Sequence, residues 1–282
     1  SGQDIRVEKK YMNSKKFAIV GGGIGGLTLA ISLQQKGFDV CVFDSAPEIK
    51  PLGAGLVIAP NGAKAYDEIG IREKIISAGK MITVFRIRDA SGKTLSKTEF
   101  EKKSAPPGIV NNFSIHRPAL HDVLLRQLTT GTVQVDKRCT DVTNDNSGIT
   151  IRFHDGTITS ADYLIACDGV HSAIRLKLLP DSYPRHAGYT CWRGVVQTIP
   201  ENINMDEVSE SWGRGKRFGI VPLSKNQIYW FACMNASPND QRMKCAKAKE
   251  LMHLFKDFHS PISSILESTP DEKIIWNDII DI

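Results

Sequence analysis

The spacing of apolar residues changes several times along the chain, and each change marks an element. Residues 17–20, FAIV, form a continuous apolar run, as expected of a strand buried on both faces of a parallel sheet. After GGGIGG, Leu27, Ala30 and Ile31 recur at helical spacing until Gly37 ends the helix. FDVCVFD then predicts a second strand from Phe38 to Asp44. In SIHRPALHDVLL, residues 114–125, Pro118 suits a first helical turn and Leu120, Val123 and Leu124 give a buried stripe. YLIACDGVHSAIR, residues 163–175, reads as a short strand that stops at Asp168-Gly169, with a helix start behind it and Arg175 one turn in.

The remainder has a different texture. Residues 81–100 alternate around DASGK, a hairpin pattern, and residues 186–232 read as several strands punctuated at GRGK and PLSKN. Residues 240–259 predict one amphipathic helix with Leu251, Leu254, Phe255 and Phe258 on its core side. The pattern predicts an α/β protein that opens on a Rossmann-like dinucleotide-binding unit and continues into mixed β-sheet plus helix.

Composition narrows the classes. At 282 residues the chain can bury a large core, and 41% hydrophobic with 24% charged residues is ordinary for a globular protein. A net charge of +5 is mild, and no basic run is long enough for a nucleic-acid arm; solvated lysine faces account for it, with some preference for anionic small molecules. Cysteines 41, 139, 167, 191, 233 and 245 form no CxxC and no metal-ligand spacing, so they read as reduced core residues of a cytoplasmic protein, with no metal site. Residues 17–33 are uncharged and follow Lys15-Lys16, but five glycines and the missing A-x-A site argue against a signal peptide or a membrane span. The chain opens on Ser-Gly, and Met12 is a candidate native start.

Chemistry enters at the glycines. Gly21, Gly23 and Gly26 fit G-x-G-x-x-G, with Gly25 in the same turn, and Asp44 lies 18 residues past Gly26, where a dinucleotide fold needs a carboxylate for a ribose hydroxyl. The helix start supplies free N–H groups and partial positive charge for a pyrophosphate. No Lys-Ser/Thr follows the last glycine, which excludes a Walker loop.

Four stretches together resemble the group A flavoprotein monooxygenases, the aromatic hydroxylases related to p-hydroxybenzoate, salicylate and urate hydroxylases. They are the fingerprint with Asp44-Ser45, EIKPLGAGLVIAPNGAKAYDEIGI (48–71), SIHRPALHDVLL and CDGVHSAIR. RHAGYTCWRGVV and GRGKRFGIVPLSKNQIYWFACMN look most like the urate- and salicylate-hydroxylase branch, and the W-x-W-x-I-P signature of flavin halogenases is absent. The resemblance implies FAD as cofactor, held by Gly21, Gly23, Gly25, Gly26, Asp44, Ser45, Val57, Arg117, Asp168, Gly169 and Arg175. NADH or NADPH would visit transiently, since no second fingerprint exists. Most of the family has Glu where this chain has Asp44. Arg117 alone would equally suit a solvated arginine, and Ser172 a helix cap.

The implied chemistry is reduction of FAD by NAD(P)H, addition of O₂ at flavin C4a, and transfer of oxygen from the hydroperoxide to a small aromatic or heteroaromatic ring. No catalytic triad is needed. An anionic or phenolate-like substrate would gain from a cation and a hydroxyl near the flavin; Arg217 and Tyr229 are the candidates, against a solvated edge arginine and a core tyrosine. Two rivals stay open: an epoxidase or prenyl reductase on the same scaffold, and a non-enzymatic relative without flavin, as in Rab-binding escort proteins. The resemblance also implies an FAD domain over 15–75 and 101–180 and a substrate domain over 76–100 and 181–282. The family's further Gly-Asp-Ala motif has no counterpart before IIWNDIIDI, so the expectation is a truncated chain that holds FAD weakly and is inactive alone.

Overall fold

A computed structural model describes residues 15–48, 53–100, 112–145, 148–197, 200 and 203–282. The chain forms two compact units, residues 1–51 with 121–185 and 282, and residues 52–120 with 186–281.

The first unit is built on a four-stranded parallel sheet in the order Tyr163–Ala166, Lys16–Val20, Asp39–Phe43, Val133–Gln134. Both faces are covered. Ile19, Val40 and Val42 pack with Ala30 of the helix Ile24–Gln35 on one side. Ala18 and Phe43 pack on the other against Ile151, Phe153 and Ala161 of a three-stranded antiparallel sheet, Cys139–Asp145, Gly148–Phe153 and Ile158–Ala161. This layering is why FAIV carries no polar alternation. Leu27, Ala30 and Ile31 are at most 1% exposed, as the helical spacing predicts.

The second unit holds a seven-stranded sheet in the order Ile275–Asp281, Arg185–Val196, Gln227–Asn235, Lys216–Leu223, Glu207–Gly213, Val84–Asp89, Thr94–Glu99. The last two strands form the expected hairpin. On one face Trp192, Phe218, Ile220, Trp230 and Ala232 pack under helices that supply Leu251, Ile262, Ile265 and Leu266. Both buried indoles have partners: Trp192 Nε1 donates to the Met243 carbonyl and Trp230 Nε1 to Thr269 Oγ1, each at 2.9 Å. A smaller antiparallel sheet joins Gly55–Ile58, Phe113–His116 and Lys80–Met81.

One expectation differs from the structure. The helix predicted over 240–259 is two helices, Gln241–Cys245 and Ala248–Leu254, separated by extended backbone at Ala246 and Lys247. Asp240 caps the first, and the Glu250 carboxylate accepts the Lys247 N–H at 3.0 Å where the second begins, so each segment has its own start. Leu251, Phe255 and Phe258 are buried as expected. By contact, residues 53–75 and 112–120 fall in the second unit, where Gly55 lies against the Tyr229 ring. Among the described residues no helix is long and apolar enough to cross a membrane.

Candidate functional site

Parallel register brings the first unit's chemistry to one edge. Val20 stands opposite both Ala166 and Phe43, so Gly21, Asp44 and Cys167-Asp168 leave the sheet together at its carboxyl end. Open α/β sheets bind ligands at this edge. The Asp44 carboxylate accepts the Gly22 N–H at 2.7 Å and the Ala46 N–H at 2.8 Å, which aims it at the glycine turn; Ser45 is exposed beside it.

The turn needs glycine for steric reasons. Gly21 has φ +109°, and a Cβ there would lie 2.1 Å from the Cys167 carbonyl oxygen. A Cβ on Gly26 would lie 2.0 Å from the Gly21 carbonyl oxygen. These two positions let the Asp-Gly strand, the turn and the helix meet. Gly23 and Gly25 differ: nothing lies within 4 Å of a Cβ at either, and no side chain caps the helix N-terminus at Gly23. His121, which sequence reasoning missed, meets the Gly22 carbonyl through Nε2 at 2.7 Å.

These residues fit a dinucleotide. Open space lies over an uncapped helix N-terminus, an anchored acid sits at the end of the second strand, and Asp168 Oδ1 is buried with no hydrogen-bond partner among the described residues. A buried carboxylate oxygen of this kind suits a ligand hydroxyl. Gly169 has φ +81°, so the chain turns sharply behind it. Arg175 sits behind that turn. Its guanidinium donates to the carbonyls of Gly169 at 3.2 Å and Val170 at 2.6 Å, and to Ser182, holding the turn closed. Ser172 is a helix cap, accepting the Arg175 N–H at 2.9 Å.

In the second unit, Arg117 begins the helix Arg117–Leu125 and its N–H donates to the Ala54 carbonyl at 3.0 Å. Gly53 lies against the Arg117 side chain, where a Cβ would come within 3.1 Å of Arg117 Cβ. His116 Nε2 meets the Gly53 carbonyl at 3.1 Å, and burial lowers the His116 pKa. Val57, two residues past Gly55 on Gly55–Ile58, is 45% exposed. Gly55 rests on the Tyr229 ring, 2.6 Å from where its Cβ would be, so this segment and Tyr229 form one wall.

The same wall holds Arg217. Register pairs Arg217 with Cys233 and Val221 with Tyr229, so both candidates project from the sheet face opposite the helices, at separate places along it. Arg217 lies over the Tyr189 and Phe231 rings, at 5.6 and 5.9 Å, and bonds Glu210 at 3.2 Å. Arg217, Tyr189 and Glu210 line a cavity of about 370 Å³ with Trp212, Cys233 and Asn235. Burial pushes the Tyr229 phenol up to about 12, although Arg193 bonds it and opposes the shift. Tyr189, Arg193 and Glu210 were missed from sequence. Only strand register reveals that they share this face.

Fold and site define a dinucleotide-binding protein of two units. The FAD binding domain family matches residues 15–278, and the chain belongs to this family, within the group A flavoprotein monooxygenases. FAD is its cofactor. The aurachin C monooxygenase/isomerase of Stigmatella aurantiaca is 35% identical over 263 residues, covering 93% of this chain and 68% of that protein. The FAD-dependent urate hydroxylase of Klebsiella pneumoniae is 34% identical over 224 residues, covering 77% of this chain and 56% of that protein. The crystal structure of Klebsiella pneumoniae HpxO complexed with FAD and uric acid superposes with a TM-score of 0.83 at 28% identity, covering 95% of this chain and 68% of that one. The chain thus spans between about half and two thirds of the relatives' lengths.

Proposed function

We propose that the full-length protein hydroxylates a small aromatic or heteroaromatic substrate, using FAD, NAD(P)H and O₂. The observation that carries this reading is the sheet face that presents Arg217 and, further along it, Tyr229 against Gly55. FAD, when bound and reduced, supplies the activation of O₂. Gly21, Gly23, Gly25, Gly26, Asp44, Ser45 and Asp168-Gly169 would hold it.

The protein's own residues position the substrate. With its pKa raised to about 12, the Tyr229 phenol stays protonated at neutral pH, so it orients a ring substituent as a hydrogen-bond donor and does not act as a base. Arg217 offers a fixed cation held over two aromatic rings, suited to an anionic or phenolate-like group. Glu210 on its other side keeps that guanidinium oriented.

A panel of phenols, purines and pyridines tests the reading on full-length protein, scored by substrate-stimulated NAD(P)H oxidation with product detection. Stimulation by members of the panel supports it. No stimulation by any of them, with stimulation by long apolar substrates assayed alongside, would favour an epoxidase or reductase instead.

A further inference from the structure

Cys191 on Arg185–Val196 stands directly opposite Cys233 on Gln227–Asn235, and Cys233 in turn stands opposite Arg217 on the next strand. The three residues form a row across one face of three adjacent antiparallel strands. Directly opposed residues in such a pair hold their Cβ atoms about 4.5–5.5 Å apart, close to the roughly 3.5–4.5 Å a disulfide spans. No change of register is needed to join them. The remaining described cysteines lack such a partner: Cys41 pairs with Ala18 and Cys139 with Phe153.

The two thiols differ in surroundings. Cys233 lines the cavity of about 370 Å³ with Tyr189, Glu210, Trp212 and Arg217, so a small reagent reaches it although it is 5% exposed to bulk solvent. Cys191 does not line that cavity and is 2% exposed. Its Sγ lies 3.5 Å from the Trp192 carbonyl and within hydrogen-bond reach of Cys233.

We propose that Cys233 and Cys191 form a peroxide-sensitive dithiol, in which Cys233 is attacked from the cavity and Cys191 resolves it. In the first step the Cys233 thiolate attacks one oxygen of hydrogen peroxide; the O–O bond breaks, hydroxide leaves and takes up a proton as water, and Cys233 becomes a sulfenic acid. In the second, the Cys191 sulfur attacks the Cys233 sulfur, forming the S–S bond and expelling a second water. One peroxide is reduced and two thiols are oxidised.

The electrostatics support this order. The Cys191 S–H hydrogen bond, together with the Arg217 and Arg193 cations, holds the Cys233 thiol below the usual range against the effect of burial. Cys191 is pushed up by the same hydrogen bond and by burial. Burial alone is the leading cause that raises Cys41, Cys139 and Cys167. The thiolate is the reactive form, so reaction concentrates at Cys233. The proposal does not rest on the hydroxylase reading.

The test uses reduced full-length protein exposed to hydrogen peroxide, alkylated and digested with trypsin. Peptides His186–Arg193 and Asn226–Arg242 should appear as one disulfide-linked species, with two free thiols lost and both recovered by dithiothreitol. In Cys191→Ser, Cys233 should stop at a sulfenic acid that dimedone traps; in Cys233→Ser, Cys191 should remain a free thiol. Two alkylated thiols at these positions under peroxide that oxidises the exposed Cys245 would overturn the proposal. So would a disulfide joining any other pair, or Cys191→Ser protein whose Cys233 takes no dimedone. Should either variant fail to fold, the wild-type peptide map decides alone.

Discussion

Asp44 Oδ2 accepts the Gly22 N–H at 2.7 Å, fastening the acid that ends the second strand to the glycine turn that follows the first. The acid is thereby aimed at the space above the helix N-terminus, where a ribose next to the pyrophosphate would lie. Asp44→Ala removes a charged acceptor, an interaction of roughly 1.5–3 kcal/mol. FAD affinity in the full-length protein should fall by about 10- to 150-fold, at about tenfold per 1.4 kcal/mol. Unchanged affinity by fluorescence titration would refute the ribose assignment.

Gly23 and Gly26 separate structure from binding. A Cβ at Gly26 meets the Gly21 carbonyl oxygen at 2.0 Å, so Gly26→Ala forces backbone to move and should cost about 1–3 kcal/mol of stability. A Cβ at Gly23 meets nothing within 4 Å. Gly23→Ala should therefore keep nearly all the stability while lowering FAD affinity, because the methyl occupies the phosphate approach. Thermal melts of FAD-free protein paired with FAD titrations check both. A Gly23→Ala variant that binds FAD normally would place the pyrophosphate elsewhere.

Much of this edge was legible in the sequence, because each part has a local cause. The glycines, the helix stripe and Asp44 follow one another through a strand, a turn and a strand. The cap at Ser172 was readable for the same reason. The relation of Arg217 to Tyr229 was not, since a one-residue slip between their strands would turn one of them to the opposite face. Register pairing Arg217 with Cys233 settles it and brings Tyr189, Arg193 and Glu210 into view. The split of residues 240–259 is signalled locally only by Asp240, because the apolar stripe runs on past the break at Ala246 and Lys247.

Arg217→Met should lower turnover of the true substrate while FAD stays bound. Methionine keeps the contact over Tyr189 and Phe231 and removes the charge, so the flavin absorbance should be retained and the hydroxylation rate lost. Wild-type rates in this variant would remove Arg217 from the substrate site.

Tyr229 makes a pH prediction. Its folded pKa of about 12 lies above the ordinary value of 10.0, so the folded state holds the phenolic proton longer than the unfolded chain does. The associated stability is complete below pH 10, declines as pH rises towards 12, and is gone above that. Each pH unit inside the window removes up to about 1.4 kcal/mol. Urea unfolding of wild type and Tyr229→Phe at pH 9 and at about pH 11.5 should show wild type losing more stability over that interval. Equal losses would mean that the phenol titrates in the folded protein at its ordinary value.

The proposed hydroxylation requires oxygen to pass from O₂ to an aromatic ring. Turnover of the full-length protein under isotopically labelled O₂, with NAD(P)H and the substrate found by the panel, measures that transfer directly. The product should carry one labelled oxygen atom, with the second recovered in water. An unlabelled product, or labelled hydrogen peroxide with no hydroxylated ring, would contradict it.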